Sequence, residues 1–347
     1  MFFASPVSHS FQRRLIVPLL ICLNVFLLKC FMPSGTREIR RRIKSVSSTK
    51  KITKAMEMVA AAKMRKAVAA VLATRDYANL AWVTIMNLSE KTNPELHPLL
   101  NKAAAGGKIC VILIGSNRGL CAGFNLQIVQ KTIASIKKHE KNVESTDLIT
   151  LGARSRDILR GMKLNVVADF AKEDLTRSVS DVSAIAKMMI DDFIKKKYSK
   201  VFVAFTDFET SMKQIPRVKQ LLPIEHEKDE FLGVVGKSSG VGMSKEFIEE
   251  KKGKYLAKGE YKFEYLFEPT ADVVLKEMLP RLIEMQIYQA VLESEASEHS
   301  ARMLAMRNAT DAAEDMIDDL TLTFNRARQA GITQEISEIS AGAAALS

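Results

Sequence analysis

The chain has 347 residues and a formal net charge of +11, with 47% hydrophobic and 26% charged residues. This composition is ordinary for a soluble globular protein, and the length is enough to bury a sizeable core. The four cysteines form no CxxC pair and no histidine lies beside one, which argues against a zinc site or a disulfide scaffold.

Residues 1–31 form an apolar leader or an upstream extension. The uncharged run Leu15–Leu28 is shorter than the roughly 20 residues that a membrane-spanning helix needs, and Pro18 interrupts it. The segment continues beyond this run with Lys29 and Cys30, and it lacks the small residues of a signal-peptidase site. Two alternatives follow: a genuine targeting segment, or a chain whose translation starts at Met32.

Residues 32–90 are assigned to a first coiled-coil segment, whose long helix is predicted from Thr36 to about Ser89 because no Gly or Pro occurs there. The segment 36–66 carries eleven Lys or Arg against two Glu, which predicts an acidic partner such as nucleic acid, anionic lipid or an acidic protein surface. An apolar stripe with one irregular gap is predicted at Ile39, Ile43, Val46, Ile52, Met56 and Val59.

Residues 91–269 alternate strand and helix patterns, which indicates an α/β domain with a buried sheet. The residues 225–259 are polar and lysine-rich and predict a loop. Strands are predicted at 108–115, 147–153, 164–170, 200–208, 215–224 and 260–269, with helices at 125–139 and 180–197.

Residues 270–347 are predicted to form a second long helix, kinked near Pro280. From Leu282 to Ala327 a seam recurs in alternating steps of three and four, which is a heptad pattern. Each long helix needs a partner for its stripe. We therefore expect the two to wind together as an antiparallel coiled coil, with an inserted Rossmann-like α/β domain.

The glycine-rich stretch Gly115–Asn125 follows a predicted strand, a place where many folds hold phosphate. No GK[ST] follows the glycines, and no general base or metal-binding set accompanies them. A nucleotide-dependent enzyme is one alternative function. The other alternative is a basic helical nucleic-acid-binding protein that lays its basic helix on phosphates.

Three stretches carry a resemblance to a known family: Arg37–Ala67, Gly115–Asn125 and Ala327–Leu346. Together, in this order and spacing, they resemble the gamma subunit of the rotary proton-translocating ATP synthase. The last stretch contains what resembles the C-terminal signature of that family, at Ile332, Thr333, Glu335, Glu338, Gly342 and Ala343.

The resemblance implies a central-stalk rotor with no catalytic site, cofactor or metal of its own. It would couple proton flow through the membrane c-ring to ATP synthesis or hydrolysis. Its partners would be the alpha and beta subunits in a 3:3:1 complex, the epsilon subunit and the c-ring, with no nucleic acid or small-molecule substrate. Its place would be peripheral, at the cytoplasmic face of the bacterial plasma membrane.

The resemblance also implies which residues meet the beta subunit and the surrounding bearing. On the first helix they are Lys50, Lys51, Lys54, Met56, Lys63, Arg65 and Lys66. On the second helix they are Arg302, Arg328, Gln329, Gln334 and Ser337, with Arg328 and Gln329 as the catch against the beta subunit.

Overall fold

The computed structural model describes residues 36–91, 98–100, 107–139, 146–172, 178–224, 268 and 270–346. The predicted leader 1–31, the polar segment 225–259 and the predicted strand 260–269, apart from Glu268, lie outside the described residues. The helices and strands are α1 (Thr36–Lys91), β1 (Lys108–Ile114), α2 (Phe124–His139), β2 (Asp147–Leu151), α3 (Ala153–Gly161), β3 (Val166–Phe170), α4 (Ser183–Ile194), β4 (Tyr198–Phe208), β5 (Gln214–Leu222) and α5 (Ala271–Leu346).

The five described strands form one sheet in the order β3-β2-β1-β4-β5. The first four strands are parallel, and β5 runs antiparallel to β4 along their shared edge. The central strand β1 has the sequence KICVILI and is buried from its second residue onward. Such a continuous apolar run is what a parallel strand covered on both faces requires.

Helices cover both faces of the sheet. On one face, Ile128 and Val129 of α2 and Leu159 of α3 pack against the sheet. On the other face, α4 and the first part of α5 form a larger core, in which Met189 and Leu282 are buried. The α/β class predicted from the alternating pattern is confirmed.

The helix α3 is absent from the sequence prediction, and the helix predicted at 180–197 is instead a short 3₁₀ turn (Val179–Val182) followed by α4. The α3 sequence ARSRDILRG is short and polar, and it buries only Ser155 and Leu159. So few buried positions leave no periodic apolar signal to detect. The helix α5 continues through Pro280, and no described helix is both long and apolar enough to cross a membrane.

The chain divides into two compact units. One contains the described residues up to Ile52 together with those from Thr310 onward, and the other runs from Thr53 to Ala309. We call the first the helix-pair unit and the second the sheet unit. The sequence prediction divided the chain by element type, at residues 31, 90 and 269, whereas these units divide it within both long helices.

Candidate functional site

The helix-pair unit joins α1 to α5 through charged and aromatic contacts. Lys50 Nζ lies 2.9 Å from Glu314 Oε1. Ten residues earlier on α1, the Arg40 guanidinium lies 5.3 Å from the centre of the Phe324 ring, ten residues later on α5. Because the two contacts move in opposite directions along the two helices, the pair is antiparallel, as predicted.

The α5 side of this pair follows the heptad seam predicted from the sequence. Thr310 and Ala313 are buried, and the next seam residues are half-buried while most of the residues between them are exposed. Those half-buried residues are Ile317, Leu320, Phe324 and Ala327. The predicted second-helix seam is therefore confirmed in this unit.

The α1 stripe differs from the prediction after Val46. Ile52 and Val59, which were assigned to the stripe, are 60% and 57% exposed. Regular heptad steps lead instead through polar and small side chains, namely Lys50, Thr53, Glu57 and Ala60, all buried or half-buried. The buried positions keep the regular helical steps of three and four. The sequence prediction departed from these steps at the gap of six between Val46 and Ile52, because it followed only apolar residues.

Most of the basic residues predicted to meet a partner are on the surface. Lys51, Lys54, Lys63, Arg65 and Lys66 are exposed. Lys50 is half-buried in its ion pair with Glu314, and Met56 is half-buried as well. Lys54 Nζ lies 3.0 Å from Glu57 Oε2, three residues along the same helix. These exposed cationic side chains are accessible to an acidic surface.

The predicted contacts near the end of α5 are exposed. These are Arg328, Gln329, Gln334 and Ser337. Their hydrogen bonds stay within the helix: Gln334 Nε2 donates to Glu338 Oε1 at 2.9 Å, and Ser337 Oγ donates to the Thr333 carbonyl at 2.9 Å. In this described segment, Gln334 and Ser337 thus form their side-chain hydrogen bonds within their own helix.

The signature residues lie on the same stretch of α5. Ile332, Thr333, Glu338 and Ala343 are exposed, and the side chain of Glu335 lies outside the described residues. A Cβ added at Gly342 would meet open space. Among the described residues, none packs closely enough against Gly342 to require the absence of a side chain there.

Arg302 differs from the other predicted contacts because it is buried in the sheet unit. Its guanidinium donates to Glu298 Oε1 at 2.9 Å and to the carbonyls of Arg118 and Gly119 at 3.2 and 3.3 Å. Arg302 therefore fastens the glycine-rich stretch to α5. Its direct contact with another subunit stays a prediction, and any such contact would compete with these bonds.

Glu298 is the centre of a buried cluster of charges. Lys172 Nζ lies 2.8 Å from Glu298 Oε2, on the side opposite Arg302. Burial by itself raises the pKa of Glu298, but the charges of Lys172 and Arg302, with their hydrogen bonds, outweigh burial and lower that pKa. The carboxylate is held ionised by two cations.

The glycine-rich stretch is organised by its own side chains. Asn125 Oδ1 accepts the Ser116 N–H at 3.0 Å, and Asn125 Nδ2 donates to Ser116 Oγ at 2.7 Å. Gly115 lies so close to Ser155 that an added Cβ would overlap the Ser155 side chain. A phosphate cradle directs N–H groups at its ligand, whereas here the N–H groups of Gly115 and Ser116 are bonded internally.

Among the described residues, no three His, Cys, Asp or Glu side chains come together in a group that could hold a metal ion. Cys110 and Cys121 are buried free thiols. The geometry as a whole defines a class: a coiled-coil protein with an α/β domain inserted between its two long helices.

Comparison with known proteins identifies the family. Residues 35–346 match the sequence profile described as ATP synthase. The chain is 41% identical over 316 residues to the ATP synthase gamma chain of Pelotomaculum thermopropionicum, covering 91% of this chain and 100% of that protein. It is 34% identical to the gamma chain of Legionella pneumophila (strain Corby), covering 90% and 100%. The chain belongs to the ATP synthase gamma-chain family.

Solved structures agree with this fold. The rotor of the Euglena gracilis mitochondrial ATP synthase matches with a TM-score of 0.55 and 16% identity, over 86% of this chain and 98% of that one. The central stalk of the Tetrahymena thermophila mitochondrial enzyme matches with a TM-score of 0.50 and 22% identity, over 74% and 99%. The alternative of a nucleic-acid-binding protein has no support from these comparisons.

Proposed function

We propose that this chain is the central-stalk rotor of an F-type ATP synthase. In this role it couples proton flow through a membrane c-ring to ATP synthesis or hydrolysis in the alpha and beta subunits. The observation that carries the proposal is the antiparallel pairing of α1 and α5, fixed by Lys50–Glu314 and Arg40–Phe324, in a chain of the gamma family.

A rotor needs stiffness and an asymmetric surface, because it must push three equivalent catalytic sites into different states. Two helices of 56 and 76 residues supply the stiffness. The asymmetry comes from charge: α1 is basic between 37 and 54, whereas Asp311, Glu314, Asp315, Asp318 and Asp319 line exposed positions of α5.

The exposed residues Lys51, Lys54, Lys63, Arg65 and Lys66 are the proposed contacts to acidic segments of the beta subunit. Arg328, Gln329, Gln334 and Ser337 are the proposed contacts near the end of α5. Each exposed ion pair that the cationic residues form contributes on the order of 0–1 kcal/mol. Weak individual contacts suit a surface that must form and release them in turn.

Catalysis in this proposal belongs to the partner subunits, and the chain contributes no catalytic group, cofactor or metal ligand. The internal use of the N–H groups of Gly115 and Ser116 supports this view of the glycine-rich stretch. The chain acts as a peripheral subunit of a membrane complex, at the cytoplasmic face of a bacterial plasma membrane, with epsilon and the c-ring as further partners.

Reconstitution tests the proposal. The full chain and residues 32–347 are each mixed with alpha and beta subunits of the same organism, and the products are sized and assayed for ATP hydrolysis. We expect a 3:3:1 complex whose ATPase activity depends on this chain. The control omits the chain. A hydrolytically active alpha–beta assembly that excludes the chain would refute the assignment.

A further inference from the structure

Two buried carboxyl groups meet where the sheet packs against α5. Asp207 of β4 is 3% exposed, and Glu293 of α5 is 0% exposed. A side-chain hydrogen bond with Glu293 acts to lower the pKa of Asp207, which places the two carboxyl groups within hydrogen-bonding reach of each other. An ionised carboxylate can only accept hydrogen bonds, so this bond requires a proton on one of the two groups.

The surroundings indicate which oxygen carries this proton. Arg217 Nε lies 2.8 Å from Asp207 Oδ2, which balances a charge on Asp207. Gln289 Nε2 donates to Glu293 Oε1 at 3.2 Å. Asp207 Oδ1 is buried, and no N–H or hydroxyl donor in the described part of the chain reaches it. A protonated Glu293 supplies the missing donor through its second oxygen.

The charged groups facing the pair come from several elements. Arg217 and Lys219 approach from β5, and Glu209 follows β4. Burial raises the pKa of Asp207, and the positive charges of Arg217 and Lys219 oppose this only in part. Two adjacent carboxylates without a shared proton would therefore be unfavourable, because they repel each other and burial deprives both charges of water.

We propose that Asp207 and Glu293 form a buried one-proton site that fastens the sheet to α5. The site also reaches α1, because Thr74 Oγ1 donates to Gln289 Oε1 at 2.7 Å and Gln289 bonds to Glu293. One hydrogen-bonded chain thus links both long helices to β4 within the sheet unit. The proposal rests on this geometry and is independent of the function proposed above.

The site makes folding depend on proton concentration. Above about pH 4.3, where an unfolded Glu loses its proton, the folded chain still holds one. The folded state then binds one proton more than the unfolded state. Raising the pH therefore weakens folding, by up to about tenfold in the folding equilibrium constant per pH unit, until the pair itself loses the proton.

The substitution Glu293→Gln tests the site. Its amide keeps a donor toward Asp207 and an acceptor for Gln289, but it carries no exchangeable acid proton. Denaturant unfolding of the full chain is measured between about pH 5 and about pH 8. We expect the wild type to lose stability more steeply with rising pH than Glu293→Gln. The matched control is Glu277→Gln, at an exposed position of the same helix, which should keep the wild-type slope.

Infrared spectroscopy gives a second, direct measurement. At neutral pH the wild-type chain should show the carbonyl stretch of a protonated carboxylic acid, which Glu293→Gln abolishes and Glu277→Gln retains. Because the band is read on the wild type, the test holds even if Glu293→Gln fails to fold. A wild-type spectrum without this band, or equal pH slopes for the wild type and Glu293→Gln, overturns the proposal.

Discussion

At the scale of single residues, Glu298 joins parts of the chain that lie far apart in sequence. Its carboxylate contacts Lys172 after β3 and Arg302 one turn further along α5. Arg302 in turn holds the carbonyls of Arg118 and Gly119. Removing one partner from a buried ion pair costs more than the pair contributes, because the remaining charge stays buried without compensation.

We predict that Glu298→Gln lowers the free energy of unfolding by about 3–5 kcal/mol, since it leaves two buried cations facing an amide. Urea unfolding of the full chain measures this loss. Glu295→Gln is the control, because its carboxylate is more exposed and lies 3.6 Å from His299 Nε2, and it should cost about 1 kcal/mol or less.

The same variant has a defined pH dependence. The pKa of Glu298 is lowered in the folded chain, so its stabilisation is present above the ordinary Glu value of about 4.3 and is lost as the pH falls through the lowered value. The difference between the wild type and Glu298→Gln should therefore shrink on acidification. A difference that grows in acid would contradict the ion-pair role.

At the scale of elements, the two long helices are predicted from sequence in type, extent and orientation. Their composition, the absence of breakers in α1 and the heptad steps of α5 are all local properties. The α1 stripe was assigned wrongly at Ile52 and Val59, because hydrophobicity was taken as the mark of the seam. Lys50 lies there because Glu314 of α5 faces it, and no local pattern reveals that pairing.

The corrected stripe predicts different costs for two isoleucines of α1. Ile39→Ala should lower the free energy of unfolding by about 2–4 kcal/mol, because Ile39 is 3% exposed and its loss leaves a cavity. Ile52→Ala, at an exposed position, should change it by about 0.5 kcal/mol or less. Thermal unfolding followed by circular dichroism compares the two variants. A larger loss of stability for Ile52→Ala than for Ile39→Ala would support the stripe predicted from the sequence instead.

At the scale of the whole molecule, the surface of α5 near its end is where the proposed rotor contacts the surrounding subunits. Arg328→Ala should lower the ATPase activity of the reconstituted complex by up to about fivefold, the equivalent of ~1 kcal/mol for one exposed contact. The unfolding of the isolated chain should be unchanged. Arg326→Ala, also exposed but roughly 200° around the helix, is the control.

An equal loss for Arg326→Ala and Arg328→Ala would show that total charge matters rather than a specific contact.

The exposed contacts of this region were predicted through the resemblance in sequence. The burial of Arg302 and of the Asp207–Glu293 pair could not be predicted from the sequence, because it depends on strands and helices that come together only in the folded sheet unit. In the sequence, Arg302 is one more cation on a polar helix.

Ile332, Ile336 and Ile339 are exposed along the last turns of α5, the last of them by 72%. They recur at steps of four and three, so they share one face. Exposed apolar faces of this kind promote self-association in a chain that lacks its partners. We therefore expect surplus copies of this chain to self-associate through this face, so that balanced synthesis of the subunits would limit aggregation.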